Sequence, residues 1–137
     1  MSDALRRLEA AVGWESPERI DTVERRHLAD FLAAVDEADP GGVEEEVPPT
    51  FLACFLNEPP VLEAARHYGD GWLNGGDRFE FLAPVHVGDT LHSRAVFTGV
   101  EEKAGRGGKL AILTFVTDLR LPGGAVAVRH TGTRIRR

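Results

Sequence analysis

The sequence predicts an α+β domain in which an antiparallel sheet wraps a buried apolar helix. Three observations carry that class. Apolar residues recur at helical spacing up to Tyr68, whereas from Asn74 onward they alternate or run together as strands do. Within the helical half, Phe51-Leu52-Ala53-Cys54-Phe55-Leu56 is apolar on every side, the pattern of a helix enclosed by other elements. In the strand half, Gly75-Gly76 and Gly88-Asp89 bracket a run with Phe79, Phe81, Ala83, Val85 and Val87 on one face and Arg78, Glu80, Leu82, Pro84 and His86 on the other.

Taken in order, Leu5, Leu8, Ala11 and Val12 define a first helix that stops at Gly13, where a C-cap glycine belongs. Trp14 to Ile20 reads as a connector. Asp21 and Glu24 form a candidate capping box for a second helix carrying Val23, Leu28, Phe31, Leu32 and Val35, which ends near Asp36. Asp36-Glu37-Ala38-Asp39-Pro40-Gly41-Gly42 breaks the helix, and Val43 to Val47 follow as an acidic loop. Pro48-Pro49-Thr50 starts the enclosed helix, in which Cys54 reads as a core residue, and Pro59-Pro60 ends it. One or two further turns, Val61 to Tyr68, precede the central strand. Pro84 cannot donate to a ladder, so the far end of that strand belongs at an edge or a bulge.

Thr90 to Val100, Leu110 to Leu121 and Ala125 to Arg136 are three more strands, joined by a glycine-rich loop over 104–108 and a Pro122-Gly123-Gly124 hairpin turn. Leu110, Ile112 and Val116 alternate against Leu113, Phe115, Leu119 and Leu121, so that strand is apolar on both faces. One face is expected on the helix and the other against a second subunit.

At 137 residues the chain fits a single domain over 1–137, large enough to bury roughly two-thirds of its unfolded surface without metal or disulfide staples. The net charge is -6 and the arginines cluster only at Arg134, Arg136 and Arg137. That argues against nucleic acid, whose phosphates need grouped cations. The single cysteine, Cys54, excludes an internal disulfide. His27, His67 and His130 have no ligand-type spacing, so no metal site is expected, and His86 and His92 read as surface or interface residues. The N-terminus has no signal-peptide apolar core, and no segment approaches the ~20 apolar residues of a membrane span; a cytoplasmic protein with no membrane partner is expected.

Val12-Gly13, Pro48-Pro49-Thr50-Phe51, and Gly75-Gly76 leading through Phe79-Glu80-Phe81 to Pro84-Val85-His86-Val87-Gly88-Asp89-Thr90-Leu91 together resemble the N-terminal-type half of MaoC-like dehydratases, which have the hot-dog fold. The similarity spans nearly the whole chain. It implies hydration of trans-2-enoyl thioesters of coenzyme A or acyl carrier protein to (R)-3-hydroxyacyl thioesters, or the reverse dehydration, without a cofactor. It further implies an Asp-x-Asn-Pro-x-His motif after the first long helix to activate water, and a backbone N–H at the start of the enclosed helix for the thioester oxygen. This chain departs on both counts. Glu37 and Asp39 stand at the Asp and Asn positions, Pro40 is kept, and Gly42 replaces the histidine. Pro48 and Pro49 offer no N–H, leaving Thr50 and Phe51 as the first donors.

With these departures, the resemblance implies a subunit that has lost its own dyad and pairs with a second hot-dog chain that has one. It would supply half of a double hot dog and an acyl tunnel lined by Phe51, Phe55, Phe79 and Phe81. Glu37 and Asp39 are the candidate catalytic positions, and Thr50, Asn74, Gly75 and Gly76 join the four phenylalanines as candidate substrate-binding residues; Asn74 equally suits a turn cap. Two other readings stay open. One is a self-sufficient homodimer, hydratase or acyl-CoA thioesterase, in which a carboxylate activates water; the other is a non-enzymatic acyl-thioester-binding dimer.

Overall fold

The computed structural model describes residues 1–38, 46–56 and 62–137. Five antiparallel strands form one sheet in the order β1-β3-β4-β5-β2, with β1 Arg19–Thr22, β2 Trp72–Phe81, β3 Thr90–Gly105, β4 Gly108–Arg120 and β5 Val126–Arg136. One face is covered by two α-helices, α1 (Asp3–Ala10) and α2 (Arg25–Ala34), and by two 3-10 helices, Pro49–Phe55 and Glu63–His67.

The turns follow from the residues that make them. β3 and β4 close tightly at Arg106-Gly107, with Gly105 opposite Gly108, so the expected flexible loop is a short hairpin. Leu121 N–H donates to the Ala125 carbonyl at 2.8 Å across a turn in which Gly123 and Gly124 both take positive φ. Gly13, at φ +100, ends the α1 segment and donates its N–H to the Phe97 carbonyl. At the far end of the central run, the Asp89 carboxylate accepts from the His86 N–H at 2.8 Å, as the Gly88-Asp89 turn chemistry predicts.

Strand alternation sorts the sheet's two faces. Ala111, Leu113, Phe115, Thr117 and Leu119 of β4 are buried beneath the helices, while Ile112, Thr114, Val116 and Asp118 on the outer face are half-buried. The inner face carries two cores. Leu5 and Leu8 of α1 pack with Leu62, Ala65, Phe97, Leu113 and Phe115. Leu28 and Leu32 of α2 pack with Phe51, Leu52, Phe55, Val85, Leu91, Leu119 and Val128.

Three sequence expectations need correction. The connector after Gly13 contains β1, a short edge strand that pairs with β3 and leaves Ile20 exposed, so no alternation marks it. Asp21 lies in that strand, ion-paired to Arg19 at 2.8 Å, and Glu24 is the N-cap of α2 without a side-chain cap, so the capping box does not form. The apolar Phe51–Leu56 region is a seven-residue 3-10 helix that buries Phe51, Leu52 and Phe55 but turns Ala53 and Cys54 to solvent. Cys54 is therefore not a core residue: only one face of so short a helix meets the sheet. Trp72, Leu73, Phe81 and Leu82 expose apolar surface on and just after β2, while Ile112 and Val116 on the outer face of β4 are half-buried.

Candidate functional site

Two regions gather the residues singled out in the sequence. The first begins where α2 ends. Asp36 adopts φ +57, its N–H bonds to the Ala33 carbonyl at 3.2 Å, and the Glu37 N–H reaches the Leu32 carbonyl at 2.8 Å. This pair of bonds is a Schellman closure with aspartate in the position glycine usually takes, a left-handed conformation that aspartate tolerates better than most side chains. Glu37 thus leaves the helix in a fixed direction. It lines a cleft of about 610 Å³ together with Phe31, Leu32, Val47, Pro49 and Thr50.

Glu37 and Thr50 are therefore brought together, while Asp39, Pro40 and Gly42 lie outside the described residues. No histidine is among the described residues lining this cleft. Phe51 and Phe55 lie beneath it, buried in a ring cluster with His27 and Phe31 rather than open to the cleft. The Phe51 N–H is taken by the Pro48 carbonyl at 3.0 Å, so it is not free for a thioester oxygen.

The second region lies on the inner face where β2 meets β5. Asn74 caps its own turn, accepting from the Gly76 N–H at 2.8 Å, and a bulge at Gly75 shifts the register between Asn74 and Gly76. Beyond the bulge, Asp77 opens a polar network. It accepts from Asn74 Nδ2 at 3.0 Å and from an Arg134 guanidinium nitrogen at 2.9 Å, and its Oδ1 lies 2.7 Å from His130 Nε2. Burial pushes the Asp77 carboxyl up, but hydrogen bonds from Asn74, His130 and Arg134 and the Arg134 charge outweigh it and hold the group down at about 2. The Phe79 ring sits 4.8 Å from His130 and stacks at 6.1 Å on Phe81, so the candidate tunnel residues Phe79 and Phe81 form an apolar wall beside this network. Phe81 reaches on toward Pro49 and Leu52, with which it lines a smaller groove.

Sequence reasoning did not find Asp77, His130 or Arg134. Asp77 and His130 are 53 residues apart and become adjacent only through the β2–β5 register, Phe79 opposite His130. Parity was the available signal. Asp77 shares the face of Phe79 and Phe81, and His130 shares that of the buried Val128.

The family model of the FAS1-like, dehydratase domain region matches residues 10–128. The chain belongs to that family. No curated protein sequence matches it. In three dimensions this dehydratase-region chain is similar to the ChsH1-ChsH2 complex from Mycobacterium tuberculosis, with a TM-score of 0.80 at 12% identity over 99% of this chain and 96% of that one. It is also similar to the HadBC (3R)-hydroxyacyl-ACP dehydratase complex from the same organism, at TM-score 0.66 and 24% identity over 90% and 96% of the two chains. A third likeness is to the (R)-hydratase from A. caviae involved in PHA biosynthesis, at TM-score 0.64 and 21% identity over 90% and 94%. At these identities the likeness establishes the fold, the hot-dog fold of the MaoC-like (R)-hydratases. No helix among the described residues is long and apolar enough to cross a membrane.

Proposed function

We propose that this FAS1-like dehydratase-region chain is a subunit of a hydratase or dehydratase acting on an acyl thioester of coenzyme A or acyl carrier protein, and that it pairs with a second hot-dog chain carrying the acid–base dyad. The observation that carries this reading is the cleft in which Glu37 and Thr50 meet without an imidazole among the described lining residues. Hydration adds water oxygen to the β-carbon while one water proton goes to a base and the α-carbon takes up a proton. It needs a group that exchanges protons near neutral pH, and no cofactor. Glu37 is exposed, without the burial that carboxylate bases rely on.

The pairing surface is β2. It is an edge strand of ten residues hydrogen-bonded on one side only, to β5, and Trp72, Leu73, Phe81 and Leu82 expose apolar surface on it and just beyond. A long open edge of this kind is a template for another strand. Joining it to a partner's edge would extend the sheet and enclose the Phe79–Phe81 wall.

Two measurements test the proposal. The isolated chain is expected to hydrate a medium-chain trans-2-enoyl-CoA no faster than buffer, and Leu73→Lys is expected to weaken association of the chain with itself or its partner. Full activity of the isolated chain, abolished by Glu37→Gln, would establish the self-sufficient enzyme instead.

A further inference from the structure

We infer that His130, oriented by Asp77, accepts a hydrogen bond from a hydroxyl group carried on the acyl part of the bound thioester. This rests on the acyl-thioester reading above and adds a substrate class to it. His130 lies in a cross-strand row with Ala95, Thr117 and Phe79 on the inner face and is only 7% exposed. Placing an imidazole there costs desolvation that an apolar side chain would avoid.

Only one of its nitrogens is engaged. Nε2 faces the Asp77 carboxylate at 2.7 Å, and an ionised carboxylate can only accept, so in the neutral ring the hydrogen sits on Nε2 and Nδ1 presents a lone pair. Among the described residues nothing donates to Nδ1, yet no buried side-chain nitrogen or oxygen lacks a partner; Nδ1 therefore keeps contact with open space.

The surroundings make this acceptor selective. Asp77 is fixed by Asn74 and Arg134, which locks the tautomer of the ring it holds. Gly132, two residues along the same face, leaves the space clear: a Cβ there would lie 2.9 Å from His130 Cε1 and 3.2 Å from an Arg134 guanidinium nitrogen. On the other side the Phe79 and Phe81 rings form an apolar wall. A fixed acceptor set in an apolar wall favours a hydrocarbon chain that carries a donor, and a hydroxyl is that donor.

The test measures binding of trans-2-decenoyl-CoA and of a series bearing one hydroxyl or one keto group moved along the chain, using the assembly the chain forms alone or with a co-expressed hot-dog partner. A hydroxyl at one position is expected to tighten binding about tenfold over the plain thioester, the worth of one good hydrogen bond, and a keto group at that position is not. His130→Phe keeps the ring volume and should erase the preference while leaving the plain thioester within about twofold. Asp77→Leu removes the acceptor that holds the ring hydrogen on Nε2, so either nitrogen can carry it and the preference for the hydroxyl over the keto compound should shrink toward unity. A purely structural strut would not change that ratio. Equal binding of all the thioesters, or a preference unchanged in both variants, overturns the inference while the acyl-thioester function stands. Failure of any thioester to bind removes both.

Discussion

Replacing Phe51 by alanine tests where the inside of this domain lies. Phe51 has no exposed surface, and its ring meets those of His27, Phe31 and Phe55 edge-on at 4.9, 5.3 and 5.4 Å. Loss of a fully buried phenylalanine costs about 3–5 kcal/mol, and each edge-to-face ring contact contributes about 0.5–1.5 kcal/mol of interaction, so the upper half of the range is expected. Cys54 lies three residues on, on the exposed side of the same 3-10 helix, and Cys54→Ala should change stability by less than about 0.5 kcal/mol. At roughly 3–5 °C per kcal/mol for a domain of this size, Phe51→Ala should melt roughly 12–25 °C below the parent. Thermal and urea unfolding followed by circular dichroism give both numbers. Because Cys54 is the sole thiol, its reaction with a disulfide reagent under native conditions reports exposure directly. Comparable losses for the two variants, or a thiol that reacts only after unfolding, would refute the packing described for this helix.

Two further predictions concern titration. The depressed Asp77 carboxyl contributes stability that is fully present above its ordinary value of 3.8 and disappears as pH falls toward about 2. The parent should therefore lose about 2 kcal/mol between about pH 4 and pH 2 that Asp77→Asn does not lose; parallel acid limbs would contradict the network around His130. Tyr68, the only tyrosine, is pushed up to about 12 by burial, by its hydrogen bond to Glu102 at 2.8 Å and by the Glu102 charge. Its ultraviolet titration should lag that of a free phenol and move back toward it in Glu102→Gln, whereas a midpoint near 10 in the folded parent would refute the contact.

What the sequence made legible was whatever had a local cause. The glycine and aspartate turns at Gly88-Asp89 and Gly123-Gly124 placed the starts of β3 and β5, because turn residues act within four positions. The central strand runs instead over Trp72–Phe81, through Gly75 as a bulge rather than from a turn, so only Phe79 and Phe81 of the apolar alternation lie in it. Strand β1 was invisible because Arg19-Ile20-Asp21-Thr22 buries no side chain fully and is held by β3 rather than by its own pattern. The apolar run at Phe51–Leu56 was correctly helical, yet uniform hydrophobicity hid which side faces water; Phe51, Leu52 and Phe55 pack inward and Cys54 ended outside. Glu37 and Thr50 were legible as site candidates through the resemblance, and a shared cleft unites them. The Asp77–His130–Arg134 network was not, since its members meet only across the β2–β5 ladder.

The account turns on the missing imidazole, and rate measurement with and without a partner tests it most directly. Hydration of a medium-chain trans-2-enoyl-CoA is followed for the purified chain, for a hot-dog chain bearing Asp-x-Asn-Pro-x-His, and for the two mixed. The account predicts background rate for this chain alone, a rise of two or more orders of magnitude in the mixture, the order of contribution expected of a positioned acid–base group, and no loss when Glu37 becomes glutamine in the complex. Full turnover by the chain alone, lost in Glu37→Gln or Asp39→Asn, would contradict it.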